Sequence, residues 1–488
     1  MNIRLSKISA AFLALGMITS LSSSYAATPT EEIQKLREEM NKMREMYEQR
    51  LSQIEKQNDQ KHNVPNTSHG NTLNLTHSEL NERTKDGVPE GLAHDIDDAE
   101  EIEELGAGEL GVTAILSGTY GNTSRPQEKP YALNGFLPFN KERYQNLSSV
   151  NRGFSLDDSD ISFVGRIDDH FYGRVVVAQS PEGQANIEEA YILTRGLKFL
   201  DQKVAIKAGR FYSGIGLLNQ QHGHDWDFID ISLPHKIFLG EQYNDDGIQA
   251  KWYLPIQNNM TLELGGEVSK GRAYPGSGKD KNGAGAGALF AKFRGNFAQN
   301  HFFEVGLSQL KTNAQNREFS DFDTAGLATT NQFSGDTKIN IAHFLWKWAP
   351  NGNPADKHVK VQGEYFQRKE NGTLGYDITG LNQSNQYHSK QSGYYLQATY
   401  QFMPQWRVGV RTEKLDYGTV SATNINQFSS IAQSYSPTRN AAVLEYSPSE
   451  KGRIRLQVMQ DKSQPGVTDN QIMLQYQMSI GKFGIDRF

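Results

Sequence analysis

The amino-acid sequence predicts an all-β membrane barrel of about 16 antiparallel transmembrane strands, with a range of about 14–18, preceded by a short α-helical coiled coil. Segments after residue 106 alternate apolar and polar side chains, so each strand shows one face to lipid and the other to water. Mean hydropathy is only -0.63, whereas a helical membrane protein needs about 20 consecutive apolar residues for each span. Connections between the predicted strands alternate between long and short, which is typical of bacterial barrels.

The first residues predict export from the cytoplasm. Ile8–Leu21 is the one long apolar run of the sequence, and Arg4 and Lys7 precede it. A basic start, a short apolar core and a small-x-small site at residues 24–26 are typical of a cleaved leader. We therefore assign residues 1–26 to a signal peptide; an uncleaved membrane anchor is the alternative.

Residues 27–56 predict a coiled-coil helix. Apolar side chains recur there at heptad positions, among Glu, Lys, Arg and Gln: Ile33, Leu36, Met40, Met43, Tyr47 and Ile54. A single helix with so narrow an apolar seam is not stable in water, so partner helices are expected, most simply from two other copies of this chain. The alternative is an amphipathic helix packed on its own barrel or on another envelope component.

Residues 57–106 predict a polar periplasmic linker, because apolar side chains are too sparse there to form a core. The segment carries His62, His69, His77 and His94, followed by an acidic run at 95–104. Neutral imidazoles could hold Zn²⁺ or Cu²⁺ loosely. A solvated spacer with scattered histidines is the alternative interpretation.

Residues 107–488 predict the outer-membrane β-barrel itself. An even number of strands places both the N-terminal region and the C-terminus in the periplasm. Short turns then lie on the periplasmic side, and longer loops lie outside the cell. The sixteen predicted strands lie near 109–121, 157–167, 170–179, 187–195, 203–211, 246–254, 260–269, 284–295, 300–311, 337–349, 357–368, 391–402, 405–415, 438–447, 452–461 and 470–483.

Strand parity predicts a charged lumen. In 452–461, for example, Arg453 and Arg455 alternate with Ile454 and Leu456. A charge on the lipid face costs about 2–4 kcal/mol at mid-membrane, so the charged set must face a watery lumen. The predicted pore-lining residues are Arg174, Lys207, Arg210, Arg407, Arg411, Arg453, Arg455, Glu263 and Glu364. Such a basic lining favours anions, unless its charges pair with acids of the loops, which is the alternative.

The predicted loop at 212–245 is too apolar to extend into water, so we expect it to fold inward and narrow the pore. Its expected constriction residues are Asn219, His222, His224, Asp225, Asp227 and Asp230. Imidazole and carboxylate groups suit Zn²⁺, and His222, His224 and His235 are the candidate metal ligands. The alternative is that these side chains bond loop backbone and wall arginines and thereby hold the constriction in place.

Several function classes are excluded or disfavoured. The sequence has no cysteine, which excludes disulfides and thiolate metal sites, and its net charge of -6 argues against nucleic acid as a partner. It contains no G-x-S-x-G, H-E-x-x-H or P-loop motif, so we expect no enzymatic activity and no required cofactor.

Two resemblances add to these observations. A heptad helix before about sixteen strands resembles the DcaP-like trimeric porins, which are outer-membrane porin-like β-barrels with an N-terminal coiled coil. Residues 157–255 resemble the family of zinc-regulated, TonB-dependent outer-membrane receptors. The matching segments are Ile187–Tyr191, Lys207–Phe211, Gly216–His222, Phe238–Glu241 and Asp245–Gly247. The first resemblance implies a homotrimer, and the second implies a link to zinc; the segment before the first strand is too short for a TonB-type plug, so we expect a channel.

Three functions are therefore considered. The leading one is an outer-membrane channel for diffusion of small hydrophilic solutes, linked to zinc uptake or zinc limitation. The second is a metal-capturing receptor that uses loop and linker histidines to bind Zn²⁺. The third is a barrel that anchors a periplasmic coiled coil to a periplasmic or cell-wall partner. Expected partners are the lipid bilayer and lipopolysaccharide of a Gram-negative outer membrane, with no nucleic acid.

Overall fold

The computed structural model describes residues 108–125, 133–138, 152–179, 185–194, 196–256, 260–278, 282–298, 300–323 and 325–481. The predicted signal peptide, coiled-coil helix and linker lie outside the described residues, so their assignments stay predictions.

Seventeen antiparallel strands form one sheet in the described part of the chain, and sixteen of them are long. The two-residue strand β5 follows β4, and both pair with β6 at successive levels. The strands are β1 Leu110–Thr123, β2 Gly153–Arg166, β3 Phe171–Gln179, β4 Ala185–Thr194, β5 Lys198–Phe199, β6 Gln202–Tyr212, β7 Asn244–Ile256, β8 Met260–Ser269, β9 Ala286–Ala298, β10 His301–Phe322, β11 Ala328–Trp348, β12 His358–Tyr376, β13 Gln383–Met403, β14 Trp406–Ala422, β15 Thr438–Ser449, β16 Gly452–Gln464 and β17 Val467–Gly481.

The sheet closes on itself through β1. Thr119 of this strand lies opposite Ser155 of β2 on one side and opposite Gln475 of β17 on the other. Closure satisfies the backbone groups of every strand and leaves no free edge, which a sheet in lipid requires. The predicted fold class, a closed antiparallel barrel of 16 long strands, is confirmed.

Short helices occur in the connections. Helix α1 (Leu233–Leu239) lies between β6 and β7, and α2 (Ser429–Ala432) lies between β14 and β15. Single 3₁₀ turns lie at Leu218–Gln220, Gly223–Asp225, Pro350–Gly352 and Ile425–Gln427. Among the described residues, no helix combines the length and the apolar character that a membrane crossing requires.

Adjacent residues face lipid and lumen in turn, as the parity argument predicted. One row across four neighbouring strands faces outward and is 38–49% exposed: Leu444, Leu456, Leu474 and Tyr120. The adjacent row faces inward and is buried: Glu445, Arg455, Gln475 and Thr119. The wall is therefore apolar outside and polar inside, because a charged side chain costs free energy in hydrocarbon and is solvated or paired in the lumen.

A charge placed on the outward row tests this orientation. We expect Leu456→Arg to destabilise the folded barrel by about 2–4 kcal/mol, because the new charge lies in hydrocarbon. Gln460→Arg is the matched control: it lies on the same face of β16, beside Asn440 and Asn470, where a polar outward row marks the rim. Urea unfolding in lipid vesicles measures both, and equal losses would contradict the assignment.

Strands β10 to β14 are longer than predicted. The alternation of apolar and polar residues predicted strands ending near 311, 368 and 415, but β10, β12 and β14 continue to Phe322, Tyr376 and Ala422. A tilted strand crosses a bilayer in about 9–11 residues, so strands of 17–22 residues extend into water beyond it. Outside lipid an outward face need not be apolar, and the sequence signal on which the prediction relied disappears there.

One predicted loop is also shorter than expected. The polar stretch 462–469 is mostly strand, and Pro465–Gly466 alone connect β16 to β17. Gly466 has a φ of 70°, which a tight turn requires and which glycine adopts without strain.

Candidate functional site

The segment 213–243, which we call the lumen loop, connects β6 to β7 and folds into the barrel instead of extending outward. Its side chains Ile215, Asn219 and His235 are fully buried. Helix α1 packs against the inner side of β12, β13 and β14. The lumen loop therefore occupies part of the space inside the barrel.

Asn219 holds the two ends of the lumen loop together. Its amide nitrogen donates to the carbonyls of Ser213, at 2.8 Å, and Tyr243, at 3.2 Å. Its side-chain oxygen accepts a hydrogen bond from the backbone N–H of Tyr243 at 2.6 Å. This predicted constriction residue therefore shapes the base of the loop and satisfies buried backbone groups.

Glu364 of β12 is the first anchor between the loop and the wall. Its carboxylate accepts hydrogen bonds from the backbone N–H of Leu217, at 2.8 Å, and from the hydroxyl of Tyr395, at 2.8 Å. Nε2 of His235 lies 3.2 Å from the same carboxylate. A buried carboxylate needs such donors, so releasing the loop would leave this charge partly unsatisfied.

A group of buried arginines on β14, β15 and β16 forms the second anchor, and we call it the arginine wall: Arg407, Arg411, Arg439, Arg453 and Arg455. The carboxylate of the loop residue Asp227 accepts a hydrogen bond from Nη1 of Arg407 at 2.7 Å and lies 3.3 Å from Nζ of Lys360. Burial alone raises the pKa of Asp227, but the charges of Lys360 and Arg407 outweigh it and hold this pKa well below its usual range.

Asp230 binds the same wall one strand further. Its carboxylate forms ion pairs with Nη2 of Arg411 at 2.7 Å and with Nη1 of Arg439 at 3.1 Å. Burial raises the pKa of Asp230, but the charges of Arg439 and Arg411 dominate and lower it strongly. Both loop aspartates therefore remain ionised in neutral and mildly acidic water, and the anchor persists there.

The arginine wall is partly neutralised where it meets the loop. Glu413 bonds Arg411 and Arg439, and Glu445 bonds Arg407. With Asp227 and Asp230, four carboxylates face five guanidinium groups and the ammonium groups of Lys360 and Lys236, which leaves a formal charge of +3. Acids of the loop and of the wall therefore balance part of the basic lining, and the remaining positive charge favours anions.

Two histidines form the third anchor, on the opposite side of the loop. Nδ1 of His224 lies 2.9 Å from Oδ2 of Asp160 on β2, and Nε2 of His222 lies 3.0 Å from Oε2 of Glu189 on β4. The two imidazole rings stack with centroids 5.3 Å apart and planes 10° apart. One potential ligand atom each of Asp160, His222 and His224 lies within 4.8 Å of the others.

A β-bulge in β4 brings a second carboxylate to this cluster. Val176 of β3 pairs with Glu189, but Val177 pairs with Ile187, which leaves Glu188 without a paired residue. Neighbouring residues of a regular strand face opposite sides, whereas the bulge allows both glutamates to reach His222. Oε2 of Glu188 lies 3.5 Å from Nδ1 of this histidine.

The carboxylates change the acidity of the buried imidazoles. Burial by itself lowers the pKa of His222, but contacts with the carboxylates of Glu188 and Glu189 outweigh burial and raise this pKa to about 10. The pKa of His224 is also raised, because the charges of Asp225 and Asp160 outweigh its burial. The cluster therefore attracts positive charge.

Most of the predicted lining residues face the lumen. Arg174 lies 3.5 Å from Glu189, Lys207 lies over the ring of Tyr191, and Glu263 pairs with Arg294. The predicted lining residues that face inward are Arg174, Lys207, Glu263, Glu364, Arg407, Arg411, Arg453 and Arg455.

Arg210 does not line the lumen, which corrects the sequence-based assignment. It lies three positions after Lys207, and residues an odd number apart in one strand face opposite sides. Lys207 is buried inside, whereas Arg210 shares the outward parity of Ile206. It pairs with Asp246 of β7 at 2.7 Å, near the end of β6 and the start of β7.

His235 does not join the other two candidate metal ligands. Its Nδ1 lies 2.7 Å from the hydroxyl of Ser232, and its Nε2 faces Glu364 on β12. The reason is α1, which begins at Leu233 and directs His235 to another part of the wall. Closeness in sequence did not translate into closeness in space.

The sequence-based search missed several residues of the three anchors: Asp160, Glu188, Glu189, Lys360, Glu413, Arg439 and Glu445. Strand parity could have marked Glu413, Arg439 and Glu445 as inward-facing, because each lies in a clean alternating segment. Asp160 and Glu188 gave no such signal, since they act through a distant loop and a bulge.

No protein-family model matches the chain. A protein of Aquifex aeolicus (strain VF5), described as uncharacterized, is 27% identical over 352 residues, which cover 68% of this chain and 69% of that protein.

Several solved structures have some similarity to this chain. A loop L8 deletion mutant of OmpT, an outer membrane protein of Vibrio cholerae, has a TM-score of 0.49 and 9% identity and covers 77% of this chain and 100% of that one. The outer membrane channel DcaP of Acinetobacter baumannii has a TM-score of 0.44 and 13% identity and covers 76% of this chain and 97% of that one. An anion-selective porin from Comamonas acidovorans has a TM-score of 0.42 and 9% identity and covers 76% and 99%.

Proposed function

We propose that this protein is a channel of a Gram-negative outer membrane through which small hydrophilic solutes diffuse, and that the lumen loop is its constriction. The carrying observation is a closed barrel, apolar outside and charged inside, whose long loop is bonded to the inner wall. Lipid-facing and lumen-facing side chains alternate along each strand in the manner that such channels need.

The three anchors explain how the constriction works. The lumen loop is held on different sides of the barrel. Glu364 on β12 and the arginine wall on β14 to β16 contact it on one side, and Glu189 on β4 and Asp160 on β2 bind its histidines His222 and His224 on the other. A solute that crosses the lumen has to pass this loop or wait for it to move. Because positive charge remains in excess where the loop meets the arginine wall, we expect a preference for small anions.

The same proposal includes assembly and orientation. The short turns, such as Met403–Trp406, lie in the periplasm, and the extended ends of β10 to β14 lie outside the cell. Residues 27–56 supply a coiled coil that joins three copies or binds a periplasmic or cell-wall partner. Lipopolysaccharide surrounds the outer half of the wall.

Conductance of the purified protein tests the channel directly. In planar lipid bilayers we expect discrete current steps, with a reversal potential shifted toward the equilibrium potential of Cl⁻ in a gradient of KCl. The folded state is checked beforehand by its heat-dependent mobility on gels. Folded protein that inserts into bilayers without any current step would contradict the proposal and favour a purely structural barrel.

A second candidate function is a receptor that captures zinc. The specific observation in its favour is the meeting of His222 and His224 with Asp160 in a buried cluster. Histidines at 62–94 would then receive the ion on the periplasmic side. Alanine at both loop histidines should impair growth under zinc limitation if the receptor function holds, whereas a general channel predicts unchanged growth.

A further inference from the structure

We propose that Asp160, His222 and His224 form a divalent-cation site and that the bound ion fastens the lumen loop to β2. The histidines belong to the loop and Asp160 belongs to the barrel wall, so one ion would join the loop to β2. The ion would thus be a structural latch and not the transported solute. The site stands independently of transport, whereas its effect on current rests on the proposed channel function.

The orientation of the two imidazoles is the first argument. Nε2 of His222 lies 3.0 Å from Glu189, and Nε2 of His224 lies 3.3 Å from Asp225. Metal-binding histidines commonly donate one ring N–H to a carboxylate, which fixes the tautomer and presents the other nitrogen to the metal. Both rings therefore have the outer contact that a ligand needs on one nitrogen.

The opposite ring nitrogens are the second argument. Nδ1 of His222 and Nδ1 of His224 are buried, and neither makes a hydrogen bond of regular geometry; the contact of the first with Oε2 of Glu188 is 3.5 Å long. Oδ2 of Asp160 lies 2.9 Å from Nδ1 of His224, but outside hydrogen-bond geometry. Each of the three side chains is more than nine-tenths buried. Buried nitrogens without a regular hydrogen bond are costly, and a cation bound by both would satisfy them.

Charge is the third argument. The cluster contains the carboxylates of Asp160, Glu188, Glu189 and Asp225. The guanidinium of Arg174, 3.5 Å from Glu189 and 3.3 Å from Nε2 of His222, supplies one positive charge. The four carboxylates and the guanidinium together carry a formal charge of -3, which two imidazolium protons, or one divalent ion that replaces them, reduce equally to -1.

The donor set identifies the class of ion. Two imidazoles and one carboxylate suit Zn²⁺ and neighbouring first-row ions, whereas Ca²⁺ and Mg²⁺ prefer oxygen ligands alone. Ligand atoms around zinc lie roughly 3.3 Å apart, so rotation of the two rings must close the present separation of up to 4.8 Å. Three protein ligands leave a fourth position for water or for Glu188, which lies 3.5 Å from His222.

Metal titration of the full-length protein in detergent micelles tests the site. Calorimetry with Zn²⁺ should show one tight site per chain, and Co²⁺ should give the visible absorption bands of a four-coordinate ion. We expect His224→Ala and the near-isosteric Asp160→Asn to weaken this site by about 100-fold or more, and Glu189→Gln, a positioning residue, by about 10–100-fold.

Two controls separate this site from other histidines. His388→Ala removes an exposed histidine that bonds Asn371, and it should leave the tight site unchanged. Alanine at His62, His69, His77 and His94 removes the linker histidines and should likewise leave it unchanged. Equal zinc affinity in wild type and His224→Ala, both with native heat-dependent mobility, would overturn the metal site.

Current measurements test the latch separately. Zinc added to the bilayer chamber should lower the open fraction of wild-type channels and leave His224→Ala unaffected. Tight zinc binding with no change in wild-type current would overturn the latch while the metal site stands. If the protein forms no channel, calorimetry still decides the site, so failure of the proposed function and failure of this inference remain distinguishable.

Discussion

Replacing Asp227 and Asp230 together by asparagine is expected to release the lumen loop from the arginine wall and to raise single-channel conductance. Each of the two buried carboxylates forms ion pairs with two cationic side chains of the barrel wall. Breaking a buried ion pair costs about 3–5 kcal/mol, because the remaining charge is left uncompensated. A change of about 3 kcal/mol shifts the balance between docked and undocked loop by about 100-fold.

Two measurements check this release. Planar-bilayer recordings should show larger or more frequent openings, and trypsin should cleave the loop after Lys236, which is its only lysine or arginine and is buried in the native protein. The control variant carries asparagine at Asp201 and Asp356, two exposed turn residues, and loses the same formal charge. Native conductance and intact Lys236 in the Asp227 and Asp230 variant would show that the arginine wall does not hold the loop.

The second large effect is expected for Gly216→Ala. Gly216 has a φ of 64°, and a Cβ at this position would overlap Oε1 of Glu364. The new methyl group has to displace either the carboxylate or the loop backbone, and the hydrogen bond from Leu217 to Glu364 is lost in either case. Losing a bond to a buried charge costs about 1.5–3 kcal/mol, in addition to about 1–2 kcal/mol for the left-handed backbone.

Gly326→Ala is the matched control for this substitution. Gly326 has a φ of 79° in the turn between β10 and β11, and no atom lies within 4 Å of the position of a new Cβ. Gly326→Ala therefore introduces the same left-handed backbone strain as Gly216→Ala, but without the overlap between the new Cβ and another side chain. We expect faster tryptic cleavage at Lys236 and higher conductance for Gly216→Ala only. The same behaviour in both variants would attribute the effect to general strain, and the Glu364 anchor would lose its support.

The strands were the most predictable part of the molecule. Each of the sixteen predicted segments corresponds to one long observed strand, from β1 to β17 with the two-residue β5 set aside. Contact with lipid requires an apolar residue at every second position of a strand, and this alternation marks each membrane crossing in the sequence. Where β10 to β14 leave the bilayer, that requirement ends, and the predicted boundaries fell short by as many as 11 residues at Phe322.

Parity within one strand was equally informative when it was applied consistently. Arg453 and Arg455 lie inside and Ile454 and Leu456 lie outside, as their alternation indicated. Arg210 was misplaced because its charge was given more weight than its position. An arginine at the rim of a strand can face outward and pair with an acid, here Asp246, outside the hydrocarbon region.

The candidate site shows the limit of such local reasoning. The apolar character of 213–243 indicated an inward fold, but it could not indicate which wall residues would receive the loop. His224 meets Asp160, 64 positions earlier in the chain, and Asp227 meets Arg407, 180 positions later. A one-residue bulge in β4 then decides that Glu188 also reaches His222.

The sequence by itself determined the closed barrel, the number of its long strands and the side that each strand residue faces. These features depend on a contrast between lipid and water that repeats along each strand. The partners of the lumen loop depend on strand register, barrel curvature and one bulge, which together set distances between residues far apart in the chain. Those distances decide that His222 and His224 share a cluster with Asp160 while His235 binds elsewhere, and no spacing along the chain encodes them.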